Sequence, residues 1–237
     1  MRVIPLIELS LLYPIGFFAF QIFGILIIPT SEASIIYASL PIFTLLASSV
    51  ILKEKTILHQ KIGTVLSVAG IVYIVLQSFD HLSTNYLGYF FILCSLLSVV
   101  FYSIFLKKIL EKTPSITATY YLLLYAALIV NVANIGNHIG EGNIASYLER
   151  FSTADYVYVI LYLGILSTLV TSFFTNYSLK YLPASLVGVF NNLSPVIGLF
   201  AGVIILHENL YNYYIYGGLL VLVGIAMSTI TKNKEKI

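Results

Sequence analysis

The residues of this chain best suited to hold a small molecule are uncharged. Asn191, Asn192 and Ser194 lie about one turn ahead of Pro195, inside a long apolar run. An amide in hydrocarbon is costly unless it is paired, so at least one of them is expected to face the interior of a helix bundle. There it can bind a carboxylate, hydroxyl or amide of a ligand, or it can join two helices as a structural bond. The sequence leaves both readings open. Pro195 and its counterpart Pro41 each remove a backbone donor and clash with the preceding turn, which kinks or breaks a helix. The groups so freed need a cavity or a polar neighbour, so both prolines are candidate ligand-facing bends as well as candidate packing kinks. Tyr37, Ala38 and Leu40 occupy the positions that match Asn191, Asn192 and Ser194, which makes any shared cavity chemically asymmetric. Tyr13, Phe17 and Gln21 in the first apolar run, with Thr175 and Asn176 in the sixth, are weaker candidates of the same kind.

Other chemistries lack their residues. His59, His81, His138 and His207 are scattered through expected loops and helix ends without metal-ligand spacing. There is no HExxH, cysteine pair, Walker motif or nucleophile elbow, so no metal, cofactor or catalytic residue is expected. Glu8 falls near the start of the first run and Glu32 near the start of the second. No carboxylate falls at mid-membrane, where a proton relay would place one, so nothing demands proton coupling.

The elements that must position these residues follow from composition. Of 237 residues, 59% are hydrophobic and only 9% charged, and the mean hydropathy is +0.96. A soluble domain carries roughly 25% charged residues, so the outer surface here must face lipid. The apolar runs are continuous and about 20 residues long, enough to cross a bilayer as helices. Eight spans are expected, near 6–28, 34–52, 59–78, 86–106, 116–137, 156–178, 185–206 and 210–230. The fold class is therefore an all-α polytopic bundle of eight transmembrane helices. The first run is too long for a signal peptide and has no small-residue cleavage site after it. Only the connection near 137–155 is long enough to hold a surface helix or lid. With the N-terminus in the cytoplasm, eleven of the twelve Lys and Arg residues fall on the cytoplasmic side and only Arg150 falls outside. Such a bias reports orientation, and it predicts both termini inside, in the cytoplasmic membrane. A formal net charge of +2 gives no case for nucleic acid. Cys94 alone cannot form an internal disulfide.

The chain also repeats itself. At a constant offset of 154, Pro29 meets Pro183, Ser31 meets Ser185, Pro41 meets Pro195 and Ala47 meets Ala201. Leu52 then meets Leu206, Glu54 meets Glu208, Gly63 meets Gly217, and Gly70 with Ile71 meets Gly224 with Ile225. The copies are three spans each and lie five spans apart, an odd number, so they cross the membrane in opposite directions. Inverted repeats of this kind build two mirror-related halves around a midplane site in many transporters. Gly198 and Gly202, with Thr44 and Ser48 as their mates, have the small-xxx-small spacing of close helix contacts, and Gly63, Gly70, Gly217 and Gly224 are read the same way. Glu54 and Glu208 close their helices against the macrodipole, so each needs a partner, with Lys53 or Lys55 the nearest for the first.

The segments Pro29–Ser34, Leu40 with Pro41, Leu52 with Glu54, Gly63 and Gly70 resemble the EamA-type repeats of the drug/metabolite transporter superfamily. So do Tyr181–Ser185, Leu193–Pro195, Leu206–Glu208, Gly217 and Gly224. The fourth and fifth spans, with Tyr102, Lys107 and Lys108, look like the first two helices of the second repeat. The resemblance implies an incomplete first repeat of three helices over 1–80 and a complete five-helix repeat over 84–231. Family members have ten helices, so the first two are expected to be missing. The family often places a Trp on the first helix of each repeat, and this chain has none. The resemblance implies a secondary transporter or exporter of a small metabolite, working by alternating access, with Tyr102 and the residues above along the path. The alternative is a truncated or split carrier that a two-helix partner or a second copy must complete. An intramembrane enzyme is disfavoured, because no paired carboxylates or His/Asp cluster share a depth.

Overall fold

The computed structural model describes residues 4–77, 85–140, 153–194, 196–197, 204 and 211–229, and every element among them is helical. The chain begins with α1 (Ile4–Ser10), passes through a π-helical stretch (Leu11–Gly16) and continues as α2 (Phe17–Ile25). Next come α3 (Thr30–Ala38) and α4 (Leu40–Ala47), the latter closed by a π-helical turn (Ser48–Leu52). They are followed by α5 (Leu58–Gln77), α6 (Tyr86–Leu110) and α7 (Ser115–Gly140). Then α8 (Ala154–Leu161) runs through a π-helical stretch (Tyr162–Val170) into α9 (Thr171–Tyr181), and α10 (Ala184–Asn191) and α11 (Asn212–Thr229) follow.

Among the described residues, seven segments are long and apolar enough to cross a membrane, and they coincide with seven of the eight expected spans. The remaining one, 185–206, starts as α10 and runs into residues outside the described set, as do Pro195, Gly198, Gly202 and Glu208. Large apolar side chains stay exposed along the spans, among them Leu26 at 76% and Val50 at 77%, as a lipid-facing surface requires. One expectation changes. The first span is not one continuous helix: Tyr13 is extended (φ −143°, ψ 125°) just ahead of Pro14, because a following proline disfavours helical dihedrals. The fifth span continues as α7 to Gly140, so the expected 137–155 connection opens as helix.

The second span breaks where its proline predicts. Here α3 ends at Ala38, three residues before Pro41, and Pro41 sits in the first turn of α4, where a missing N–H is no loss. Correspondingly, α10 ends at Asn191, four residues before Pro195. The starts match more closely still. Pro29 precedes α3 at φ −55°, ψ 143°, and its repeat mate Pro183 precedes α10 at φ −55°, ψ 140°.

The chain packs as two compact units, Met1–Ile15 with Phe105–Tyr181, and Gly16–Ile104 with Leu182–Ile237. In the first, α7 packs against α1 and α9, burying Leu6, Leu9, Leu110, Leu122 and Leu179. Lys107 donates to the Leu179 carbonyl at 3.0 Å and Lys180 to the Thr113 carbonyl at 3.2 Å, each cation satisfying a carbonyl at a helix end or the turn beyond it.

In the second unit the repeat glycines meet each other. A Cβ added to Gly63 would lie 2.5 Å from the Gly224 carbonyl oxygen, and one added to Gly70 would lie 2.7 Å from that of Gly217. Gly63 thus faces the mate of Gly70, and Gly70 the mate of Gly63. That crossed pairing requires α5 and α11 to run antiparallel, as two copies of opposite orientation must. Only glycine lets two backbones approach so closely. Gly24 and Gly88 do the same for α2 and α6, where an added Cβ would meet Ile92 at 2.4 Å and Ile28 at 2.4 Å. At Gly188 an added Cβ would lie 3.1 Å from Thr44, which is buried, as is Ser48. Buried hydroxyls at these contacts bond their own helix: Thr44 to the Leu40 carbonyl at 2.9 Å and Thr64 to that of Gln60 at 2.8 Å.

Candidate functional site

The two helix breaks of the second unit border one cavity. Its volume is about 350 Å³, and it is lined by Ser34, Tyr37, Ala38 and Leu40 around the α3–α4 break, Ile71 and Val75 of α5, and Asn191 and Asn192 at the end of α10. Tyr37 and Asn191 are repeat mates, and both reach the same space. Asn191 is exposed to it. Asn192 is 5% exposed and donates its amide N–H to Ser67 Oγ at 2.7 Å. The symmetric counterparts of that pair are Ala38 and Val221, which lie together in the apolar core with Ile71, Val189, Val196 and Ile225. One side of the pseudo-symmetric core therefore carries a hydrogen bond where the other carries a methyl contact.

Behind Tyr37 stands a polar relay. Its hydroxyl donates to Ser95 Oγ at 2.7 Å, Ser95 donates to the Phe17 carbonyl at 2.7 Å, and the Gln21 side chain hydrogen-bonds to the same tyrosine. The Phe17 and Tyr37 rings pack with centroids 5.8 Å apart. Three sequence candidates from two different spans thus meet at one point. The lining carries no ionised side chain, so it suits a neutral or internally compensated solute with hydrogen-bonding edges and an apolar body.

The other candidates lie elsewhere. Asn176 is 1% exposed and donates to Thr119 Oγ1 at 2.9 Å, joining α9 to α7. Tyr102 is buried on α6, Tyr13 marks the break in the first span, Pro41 is buried and Ser194 is exposed. Thr175 is exposed on α9. Sequence reasoning missed Ser34, Ser67 and Ser95. A hydroxyl within an apolar run was the available signal, yet it does not say which wall the hydroxyl meets. Among the described residues no three His, Cys, Asp or Glu side chains gather.

Two carboxylates close the ends of this unit. Glu54 accepts backbone N–H groups from Ala184 at 2.9 Å and Ser185 at 3.5 Å, and the Ser185 hydroxyl at 3.3 Å. These partners are the N-terminus of α10, the positive end of a helix, where the sequence had suggested a neighbouring lysine. A left-handed turn at Lys53 (φ 56°) aims the carboxylate there. Glu32, 1% exposed in the first turn of α3, accepts the Tyr89 hydroxyl at 2.8 Å.

The sequence profile of the EamA-like transporter family matches residues 2–76 and 86–230, the repeat segments and nearly everything between them. This chain belongs to the EamA-like transporter family. It is 36% identical over 234 residues to the uncharacterized transporter YcxC of Bacillus subtilis, covering 98% of this chain and 75% of that protein. It is 25% identical to YoaV of the same organism, over 98% of this chain and 77% of that one. An uncharacterized transporter of Archaeoglobus fulgidus is 27% identical over 92% of this chain and 76% of its own length. A solved crystal structure at 17% identity superposes with a TM-score of 0.76 over 95% of this chain and 76% of its own, a likeness of fold. As an EamA-like protein with seven described helices long and apolar enough to cross a membrane, the chain is an integral membrane transporter of small molecules.

Proposed function

We propose that this EamA-like protein is a secondary carrier that moves a small, uncharged or internally compensated metabolite across the cytoplasmic membrane by alternating access. Its substrate passes the cavity between the breaks of α3–α4 and α10. The observation that carries this reading is that repeat mates Tyr37 and Asn191 line one space at two symmetric helix breaks. A break frees backbone groups that a passing solute can engage, and opposed repeats give the two rocking halves that alternating access needs. Both termini face the cytoplasm in this reading.

The test is uptake and counterflow in proteoliposomes across a panel of neutral metabolites. Asn191→Ala is expected to cut transport about ten-fold with unchanged protein level, roughly the loss of one hydrogen bond to a solute. Tyr37→Phe is expected to act in the same direction more weakly, because the ring and its contact with Phe17 remain. Full transport by both variants would show that the substrate passes elsewhere.

A further inference from the structure

A second cavity, of about 390 Å³, lies within the unit formed by Met1–Ile15 and Phe105–Tyr181. Leu9, Leu12, Phe105 and Ile109 form its apolar walls, and Glu8 and Lys108 bring one charge of each sign to its lining. Both charged side chains are exposed. Neither has an ion-pair or hydrogen-bond partner among the described residues. Opposite charges thus line one space without neutralising each other, an arrangement complementary to a bridging zwitterion.

Their depth narrows the chemistry. Glu8 lies in the first turn of the membrane segment Leu6–Ile25, and Lys108 in the last turn of Tyr86–Leu110. Both therefore sit at headgroup level, with the apolar walls alongside. Cationic pockets between membrane helices hold lipid phosphates in this way, and a lysine stem covers apolar surface while its ammonium stays in the interface. A soluble zwitterion without an apolar body would leave those walls uncovered, whereas a lipid's first methylenes cover them.

We infer that this cavity binds phosphatidylethanolamine. Lys108 holds the phosphate, Glu8 accepts hydrogen bonds from the primary ammonium, and the acyl chains leave along Leu9, Leu12, Phe105 and Ile109 into the bilayer. A choline headgroup cannot donate to Glu8, and a glycerol headgroup offers it no cation.

The test is native mass spectrometry of the full chain in detergent with equimolar phosphatidylethanolamine, phosphatidylcholine and phosphatidylglycerol of identical acyl chains. The unaltered protein is expected to retain the ethanolamine lipid about five-fold over the choline lipid, roughly the worth of one hydrogen bond. Glu8→Gln should erase that preference, and Lys108→Gln should lower retention of all three lipids. Equal retention of ethanolamine and choline lipids overturns the proposal, as does a preference that survives both substitutions. Competition by chain-free glycerophosphoethanolamine as effective as the whole lipid overturns it too, in favour of a soluble ligand. If either single variant fails to fold, the exchanged pair Glu8→Lys with Lys108→Glu carries the test. Both charges then remain, and the ethanolamine preference must persist.

Discussion

Adjacent asparagines have different surroundings here because successive residues on a helix point about 100° apart. Asn192 turns to α5 and bonds Ser67, while Asn191 is exposed to the cavity. Sequence alone held both as ligand or glue, since type and depth are the same for the pair. Glu54 is a similar case. Its place at a helix end called for a partner close by, but that partner lies 130 residues away, at the N-terminus of α10. Glu54→Ala is expected to cost about 1–2 kcal/mol, the usual loss of a helix cap, and to lower the melting temperature in detergent. The exposed neighbour Lys55 serves as control: Lys55→Ala should leave the melting curve unchanged.

At the scale of helices, small residues decide which faces meet. The crossed pairing of Gly63 with Gly224 and Gly70 with Gly217 leaves backbone oxygens where a methyl would have to go. Gly63→Ala is expected to destabilise by about 1–3 kcal/mol, the cost of overpacking a close contact. By contrast, Gly164 in the π-helical stretch after α8 has nothing within 4 Å of an added Cβ. Gly164→Ala should therefore be neutral or stabilising by up to about 1 kcal/mol. Melting temperatures of the two variants, compared in one detergent, check both outcomes. The glycine spacing was visible in the sequence; Gly198 and Gly202, read the same way there, lie outside the described residues. The break at Tyr13 was not anticipated, although Pro14 offered the signal, because the apolar run hid it.

For the whole molecule, the contacts agree with the parity that an eight-span path imposes. Glu54 follows the second span and Ala184 opens the seventh, so their bond requires both ends on one side. Lys107, at the end of the fourth span, meets Leu179, at the end of the sixth, under the same requirement. Which side is the cytoplasm rests on the distribution of basic residues. In a Cys94→Ser background, a cysteine at Asn85 should react with an impermeant maleimide in intact cells. One at Lys55 should react only after permeabilisation. The reverse pattern would invert the proposed orientation.

The sequence by itself determined that this chain lives in lipid, that it is helical, where seven of its spans fall to within a few residues, and that a set of prolines, glycines and a glutamate recurs at one constant offset. Each of these is a property of composition or of spacing along the chain, and the bilayer enforces it by leaving no other way to satisfy a backbone. Tertiary structure alone decided that Tyr37 and Asn191 share a cavity and that Ser95 and Ser67 stand behind it. It alone also decided that Glu54 caps a distant helix, and that Glu8 and Lys108 line one cavity unpaired. Those facts depend on how far each helix is turned about its axis, and an apolar helix surrounded by lipid and other apolar helices carries no amphipathic stripe to fix that angle.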